Sequence, residues 1–188
     1  MANDATTLNV DICVIGAGSG GLSVAAGASQ MGASTVLIEK HKMGGDCLNT
    51  GCIPSKALLA AGHAAQAVRH AGRFGVGAEL GNIDAGGVFG HVHNTIGAIA
   101  PMDSVERFEG LGVNVIEAEG RFVGPKEVEA GGKRIRARRF VIATGSSAFV
   151  PPVPGIDDVD YLTNETVFEQ TGLPEHLIVM GGSYIGLE

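Results

Sequence analysis

The fold of this chain is decided by one stretch near its start, VDICVIGAGSGG, residues 10–21. Val10 to Ile15 form a short apolar run, which predicts a buried parallel strand. The alanine-rich segment from Gly20 to Met31 predicts a helix, and the apolar run from Thr35 to Ile38 predicts a second strand. Strand, glycine turn, helix and strand within about thirty residues form a βαβ unit, so the fold class is α/β.

The glycines between the first strand and the helix match the pattern G-x-G-x-x-G. Gly16 permits the tight turn, Gly18 lets the backbone approach a pyrophosphate, and Gly21 lets helix and strand pack closely. The N–H groups at the helix start, together with the helix dipole, favour phosphate there. Glu39 lies eighteen residues after Gly21, at the end of the second strand, where a carboxylate can accept ribose hydroxyls. The pattern predicts a dinucleotide site; a structural glycine turn is the alternative.

Two cysteines, Cys47 and Cys52, flank Leu48-Asn49-Thr50-Gly51. Cys47 lies in a predicted glycine-rich loop, His41 to Gly51, and Cys52 follows this loop near the start of a helix. The two could close a disulfide if the loop bends suitably. Backbone N–H groups at the helix start would favour the Cys52 thiolate. Half of a zinc site and inert thiols are the alternatives. Zinc needs further closely spaced ligands, which Cys13 and the scattered histidines do not supply, so we favour a redox pair and expect no resident metal.

The remaining segments extend this pattern along the chain. They predict a helix with Pro54 in its first turn running to about Arg69, a connector from Gly72 to Gly87, and a helix from Val88 to Phe108 that is bent or interrupted at Pro101. A strand from Val113 to Ile116, a β-meander from Gly120 to Arg136 and a buried strand from Phe140 to Ala143 are predicted next. A crossing segment from Pro151 to Gly155 is followed by a strand from Leu177 to Met180 and a second glycine turn from Gly181 to Gly186. We expect residues 1–150 to form an incomplete nucleotide-binding domain. Residues 151–188 would then be a crossing segment and the start of a second Rossmann-like domain.

Composition limits the possible functions. The 188 residues are 45% hydrophobic and 18% charged, which is typical of a folded globular chain. The formal net charge of −7 offers no footprint for nucleic acid. We interpret the basic stretch Lys133 to Arg139 as a solvated strand surface, with a phosphate-binding patch as the alternative. No stretch approaches the roughly 20 apolar residues of a membrane span. No secretory signal is evident, and three cysteines fit a cytoplasmic protein better than a secreted scaffold.

A longer motif connects these features to a known family. The motif is Gly44-Gly45-Asp46-Cys47-Leu48-Asn49-Thr50-Gly51-Cys52-Ile53-Pro54-Ser55-Lys56. It closely resembles the redox signature of the class I flavoprotein disulfide reductases. This family includes dihydrolipoamide dehydrogenase, mercuric reductase and glutathione reductase. The resemblance runs from about Val10 to Glu188. The Pro-Ser-Lys ending looks like dihydrolipoamide dehydrogenase and mercuric reductase rather than glutathione reductase. Asp46 and the segment Asp103 to Phe108 resemble mercuric-reductase-like proteins.

The resemblance implies a role for individual residues. Cys47 would be the interchange thiol that attacks substrate, and Cys52 the flavin-facing charge-transfer thiolate. Lys56 would lie near flavin N5 and pair with Glu188, while Tyr184 would lie over the nicotinamide pocket. The residues implied to bind FAD or the nicotinamide dinucleotide are Gly16, Gly18, Ser19, Gly20, Gly21, Glu39, Lys40, Gly45, Asp46, Cys47, Cys52, Lys56, Ala118, Ala143, Thr144, Gly145, Gly181, Tyr184 and Gly186. Ser183 replaces the middle glycine of the second turn and would crowd the pyrophosphate slightly.

The resemblance also implies the activity. FAD, with NAD or NADP, would pass electrons between nicotinamide, the Cys47–Cys52 disulfide and an external substrate, which would be dihydrolipoamide or a related disulfide. Mercuric ion is an alternative substrate, and a truncated, non-catalytic nucleotide-binding module is an alternative of another class. The full-length form is expected to be a cytoplasmic homodimer whose dimerisation domain is absent from this chain, so the 188-residue chain by itself is expected to be inactive.

Overall fold

A six-stranded sheet carries the first nucleotide turn. The structure, a computed structural model, describes residues 7–188. Its strands are β1 (Thr7–Ile15), β2 (Thr35–Glu39), β3 (Val113–Glu117), β4 (Arg121–Gly124), β5 (Glu127–Ala130) and β6 (Lys133–Ile142). They are ordered β3-β2-β1-β6-β5-β4. The four strands β3, β2, β1 and β6 are parallel, and β5 and β4 add antiparallel pairs. This confirms a Rossmann-like α/β fold with a β-meander.

The helices fall into two compact units. The first unit comprises the chain up to Asn49 together with Ile99–Ser147, and the second comprises Thr50–Ala98 and Ala148–Glu188. The helices, in chain order, are α1 (Ser19–Gln30), α2 (Gly45–Asn49), α3 (Cys52–His70), α4 (Ala85–Ile99), α5 (Val105–Gly110) and α6 (Tyr184–Leu187). The predicted domain division after residue 150 stays a prediction.

The core of the first unit covers both faces of the sheet. One face buries Cys13, Val36 and Ile38 of the central strands with Val128 and Ile135 of the meander. The other face lies under α1 and α5, where Leu22, Ala25 and Phe108 pack on Val14, Leu37 and Val113. Alternate residues of a strand point to opposite faces, so this two-sided burial explains the continuous apolar runs that predicted buried strands.

Two predictions in the first unit are wrong. The loop expected from His41 to Gly51 contains the short helix α2, in which the Asn49 side-chain amide donates to the carbonyls of Met43 and Gly45 at 3.1 and 2.8 Å. The strand expected from Phe140 to Ala143 is not separate but continues the last meander strand, β6, and its Ile142 is 69% exposed. The antiparallel pairing with β5 covers only residues 133–136 of β6, so the end of β6 pairs with β1 alone.

The basic stretch and the interrupted helix were predicted correctly. Arg134 and Arg136 project from β6 toward Glu127 at 3.7 Å, which fits a solvated strand surface. The helical stretch around Pro101 breaks into α4, a 3₁₀ turn over Ala100–Asp103, and α5, whose first turn is capped by the Ser104 hydroxyl. Proline lacks an N–H and disfavours a helical residue before it, which accounts for the break.

The second unit is built on two helices. α3 and α4 pack through Ala57, Leu58, Val92 and Ile96, with Phe168 inserted against them. The strand expected from Leu177 to Met180 is not formed, and these four side chains are 56–78% exposed. A parallel strand needs a neighbouring strand to satisfy its backbone, and within this unit the described residues supply none. No described helix is both long enough and apolar enough to span a membrane.

Candidate cofactor and thiol sites

The carboxyl ends of the parallel strands in the first unit form one edge. Ile15 pairs with Ile38 of β2 and with Ile142 of β6, and Glu39 pairs with Glu117 of β3. The segments that follow these strands therefore emerge side by side. In open α/β sheets ligands bind outside the carboxyl ends of the strands. The predicted cofactor residues of the first unit lie at or next to this edge.

Gly16 lies against the end of β6. Its φ is +102°, and a Cβ placed on it would lie 2.2 Å from the Ala143 carbonyl oxygen and 3.1 Å from the Thr144 Cα. Only glycine fits such a contact between two backbones. The Ala143 amide in turn donates to the Ile15 carbonyl at 2.8 Å. Residues 143–145, predicted to touch the cofactor, thus border the first glycine turn, and Thr144 and Gly145 are exposed.

Gly18 and Gly21 differ in the space around them, and this difference tests whether the turn fits a pyrophosphate. A Cβ on Gly21 would lie 1.9 Å from the carbonyl oxygen of Gly16, so this glycine is required by the protein itself. A Cβ on Gly18 would meet nothing nearer than the Gly45 Cα at 3.9 Å. The space above Gly18, at the start of a twelve-residue helix, is therefore open. This open space beside helix N–H groups is a cradle that fits a phosphate group.

Glu39 joins the strand end to the glycine turn. Its Oε2 accepts the backbone N–H of Ala17 at 2.6 Å, and its Oε1 accepts that of His41 at 2.7 Å. Each carboxylate oxygen has a second lone pair, so Glu39 can still accept ribose hydroxyls. Glu39 therefore also holds the first glycine turn in place through its hydrogen bond to Ala17, a role that the sequence did not reveal.

Lys40 and Ala118 lie in neighbouring segments at the same edge. Lys40 approaches Glu119 at 3.9 Å in an exposed ion pair, and Ala118 precedes that glutamate directly after β3. Ala118 packs against the buried core of the unit. A Cβ on Gly131 would lie 3.6 Å from the Ala118 Cβ, so the meander supports this segment.

The helix that carries Cys47 packs directly on the glycine turn. A Cβ on Gly45 would lie 2.6 Å from the Gly18 Cα, and the Gly44 amide donates to the Ala17 carbonyl at 2.9 Å. Two consecutive glycines thus bring α2 against the start of α1. Cys47 follows two residues later and is half-buried, while the predicted cofactor residue Asp46 is exposed.

A groove of about 340 Å³ lies beside Cys47. Ser19 and Ser23 of α1 border it on one side. Asp103, in the turn before α5, and Arg107, within α5, border it as well. The Arg107 guanidinium donates to the Met102 carbonyl and is exposed. The groove therefore combines a thiol, two hydroxyls and charges of both signs. The segment Asp103 to Phe108 resembles mercuric-reductase-like proteins, but the sequence indicates no role for it. Its proximity to Cys47 is a tertiary contact, which no local pattern predicts.

Cys52 and Lys56 lie in the second unit, in the first turns of α3. Cys52 is exposed, and it is the first residue of the nineteen-residue helix. Lys56 forms an ion pair with Glu188 Oε1, the pairing that the resemblance implies. Ser55 Oγ donates to the same carboxylate oxygen at 2.8 Å, a contact that sequence reasoning missed. The hydrogen bonds from Lys56 and Ser55 lower the pKa of the Glu188 carboxyl below its usual value.

The second glycine turn repeats the geometry of the first. Gly181 has φ +116°, and a Cβ on Gly186 would lie 2.2 Å from the Gly181 carbonyl oxygen. Ser183, the N-cap of α6, has φ −78° and ψ 173°, close to the −78° and −178° of Gly18. These backbone angles are open to any residue, so serine fits the turn without strain. Tyr184, predicted to lie at the nicotinamide, is 81% exposed.

The other candidate ligands do not form a site. Cys13 is fully buried in β1, and burial raises the pKa of its thiol to about 12. His93 contacts Glu169 at 3.6 Å within the second unit. Among residues 7–188, no three histidine, cysteine, aspartate or glutamate side chains are grouped so that they could hold a metal ion.

Residues 10–188 match the family described as pyridine nucleotide-disulphide oxidoreductase. The chain belongs to this family. Its relatives in the family include the mercuric reductases of Bacillus cereus, 34% identical over 99% of this chain, and of Streptomyces lividans, 36% identical over 95%. The dihydrolipoyl dehydrogenase of Thermus scotoductus is 38% identical over 95% of the chain.

The chain spans about a third of the length of these relatives. It covers 30% of the Bacillus cereus protein, 39% of the Streptomyces lividans protein and 38% of the Thermus scotoductus protein. Family membership is consistent with the two glycine turns, the helix-borne Cys47 and the Lys56–Glu188 pair.

Proposed function

We propose that the protein of which this chain is part is an FAD-dependent NAD(P)H:disulfide oxidoreductase with Cys47 and Cys52 as its redox pair. The observation that carries the proposal is the packing of α2 on the first glycine turn, where Gly45 meets Gly18 backbone to backbone. A dinucleotide whose pyrophosphate occupies the open space at Gly18 would lie next to the helix that presents Cys47.

The residues of the first unit fit the adenosine and pyrophosphate part of FAD. The turn from Gly16 to Gly21 would hold the pyrophosphate, and Glu39 would accept the ribose hydroxyls. Residues 143–145, which border Gly16, would contact the cofactor through their backbone. FAD bound there would accept a hydride from the nicotinamide and supply two electrons to a disulfide.

The chain's own thiols carry the exchange with substrate. The Cys47 thiolate would attack one sulfur of a substrate disulfide, forming a mixed disulfide and releasing the other sulfur as a thiolate that takes up a proton. The Cys52 thiolate would then attack the Cys47 sulfur, which breaks the mixed disulfide and releases the second substrate thiol. This leaves Cys47 and Cys52 joined as a disulfide, ready to take up two electrons again. Cys52 is the first residue of α3 and is exposed, so its sulfur is accessible for this second step.

The groove beside Cys47 supports a small substrate. Its volume of about 340 Å³ is in the range of small-molecule sites, and Asp103 and Arg107 offer a charge of each sign to the part of the substrate that does not react. Lipoamide, the disulfide form of dihydrolipoamide, or a related disulfide is the first candidate. Mercuric ion is the second, because two mercuric reductases are among the relatives and paired thiolates bind soft metal ions.

We further propose a cytoplasmic homodimer that uses NAD or NADP and binds neither nucleic acid nor membranes. The acidic net charge of −7 supports the absence of nucleic acid binding.

Turnover by the full-length protein tests the function. The purified protein is incubated with NADH or NADPH and one acceptor at a time: lipoamide, glutathione disulfide or mercuric ion. Nicotinamide oxidation is followed by the loss of the near-ultraviolet absorbance of the reduced nicotinamide. We expect turnover with one disulfide or with mercuric ion, and its loss in Cys47→Ser. Cys13→Ser is the matched control, because Cys13 is buried in β1 and should leave turnover intact.

The result also distinguishes the alternative of a non-catalytic module. That alternative predicts FAD binding with no acceptor-dependent nicotinamide oxidation. Turnover that survives in Cys47→Ser would contradict the assignment of this thiol.

A further inference from the structure

Ser55 lies in the first turn of α3, between Pro54 and Lys56. Its Oγ is 2.8 Å from Glu188 Oε1 and 3.3 Å from the Cys52 carbonyl oxygen. A serine hydroxyl has one proton to donate. A hydrogen bond to a carboxylate is stronger than one to a neutral carbonyl, and the carboxylate is also the nearer acceptor, so the proton goes to Glu188.

The Glu188 carboxylate therefore accepts two hydrogen bonds on one oxygen. Lys56 and Ser55 both donate to Oε1. A lysine ammonium is a point charge on a flexible stem, so Lys56 alone leaves the orientation of the carboxylate loose. Ser55 has a short side chain fixed to the helix, and its hydrogen bond holds the carboxylate in one place. In the described part of the chain, Lys56 is the charged group in contact with this carboxylate.

We propose that Ser55 is a positioning residue that fixes Glu188 and, through it, the Lys56 ammonium for the reaction. This inference rests on the proposed function and on the place near flavin N5 that the resemblance implies for Lys56, which is paired with Glu188. Ser55 does not touch substrate in this account. It couples the first turn of α3 to the residue that follows α6, both within the second unit.

The test uses Ser55→Ala and Ser55→Thr in the full-length protein. Removing the hydroxyl should lower the turnover number about fivefold, the effect of one hydrogen bond to a charged group in an exposed setting, while KM for the acceptor changes little. Threonine keeps a hydroxyl at the same position and should restore most of the rate. Thr95→Ala is the control, because the Thr95 hydroxyl donates to the His91 carbonyl of its own helix.

Two further readouts separate positioning from a general structural effect. In a Glu188→Gln background, Ser55→Ala should cost less than in the wild type, because the two side chains act together. The carboxyl carbon of Glu188, followed by NMR, should titrate at higher pH in Ser55→Ala, since a donor that favours the charged form is gone. Ser55→Thr should titrate as the wild type does.

Each outcome decides the proposal. An equal loss in both Glu188 backgrounds, an unchanged carboxyl titration in Ser55→Ala, or a Ser55→Thr variant that behaves like Ser55→Ala would overturn it. If the wild type shows no acceptor-dependent turnover, the proposed function fails instead. The carboxyl titration requires no turnover and still decides whether Ser55 holds Glu188.

Discussion

Replacing Gly18 with alanine is expected to remove cofactor binding while leaving the fold intact. Gly18 has φ −78° and ψ −178°, which alanine adopts without strain. The added Cβ would meet only the Gly45 Cα, at 3.9 Å, which is an ordinary contact. No protein atom has to move, so the free energy of unfolding of the cofactor-free protein should change by less than about 0.5 kcal/mol.

The same methyl group would fill the space reserved for a phosphate. Phosphate oxygens must come within about 2.9 Å of backbone N–H groups to bond them, and a Cβ on Gly18 obstructs that approach. Losing one such charge-assisted hydrogen bond costs about 1.5–3 kcal/mol. We therefore expect FAD affinity to fall about 10- to 100-fold.

The assay compares FAD affinity and stability in one set of proteins. FAD is titrated into cofactor-free full-length protein, and urea unfolding is measured without FAD. Gly27→Ala is the control, because Gly27 lies in the same helix with nothing within 4 Å of its added Cβ. Wild-type FAD affinity in Gly18→Ala would refute the assigned pyrophosphate position. A loss of stability well above 1 kcal/mol would refute the reading of the space as open.

Three further predictions concern the first unit. Gly21→Ala should lower the free energy of unfolding by about 2–3 kcal/mol in urea unfolding, because its Cβ would lie 1.9 Å from a carbonyl oxygen of the turn; wild-type stability would contradict this. Hydrogen bonds from Ser34 and from Arg138 lower the pKa of the Asp11 carboxyl. These hydrogen bonds therefore stabilise the folded protein at pH values above the usual aspartate pKa. The stabilisation is lost as the pH falls through the lowered pKa of Asp11. Asp11→Asn should therefore flatten the acid side of the stability curve, and an unchanged curve would count against it. Burial raises the pKa of Cys13 to about 12, so iodoacetamide at pH 8 should leave this thiol unmodified in the folded protein, as peptide mass spectrometry would report.

The sequence predicted the elements whose signals are local. The apolar run before Gly16 and the alanine-rich helix after it are fixed by periodicity and by glycine geometry, and both occur as predicted. The break at Pro101 follows from the chemistry of one residue. These elements can be predicted from the local sequence alone, without knowing which residues pack against them.

The features that sequence reasoning missed depend on tertiary contacts. The helix α2 forms where Gly44 and Gly45 meet the glycine turn, and no local pattern predicts that contact. Leu177 to Met180 carry a strand-like apolar run, but a strand also needs a paired neighbour. The partnership of Ser55 with Glu188 joins residues 133 positions apart, so spacing could not indicate it.

Differential alkylation tests the central claim, that nicotinamide electrons reach a Cys47–Cys52 pair. The full-length protein is treated anaerobically with NADH or NADPH, alkylated, and analysed by peptide mass spectrometry beside an untreated sample. The account predicts that Cys47 and Cys52 become alkylated together only after the nicotinamide is added, while buried Cys13 stays unmodified in both samples. Equal alkylation of Cys47 and Cys52 with and without nicotinamide, or a response of only one of them, would contradict it.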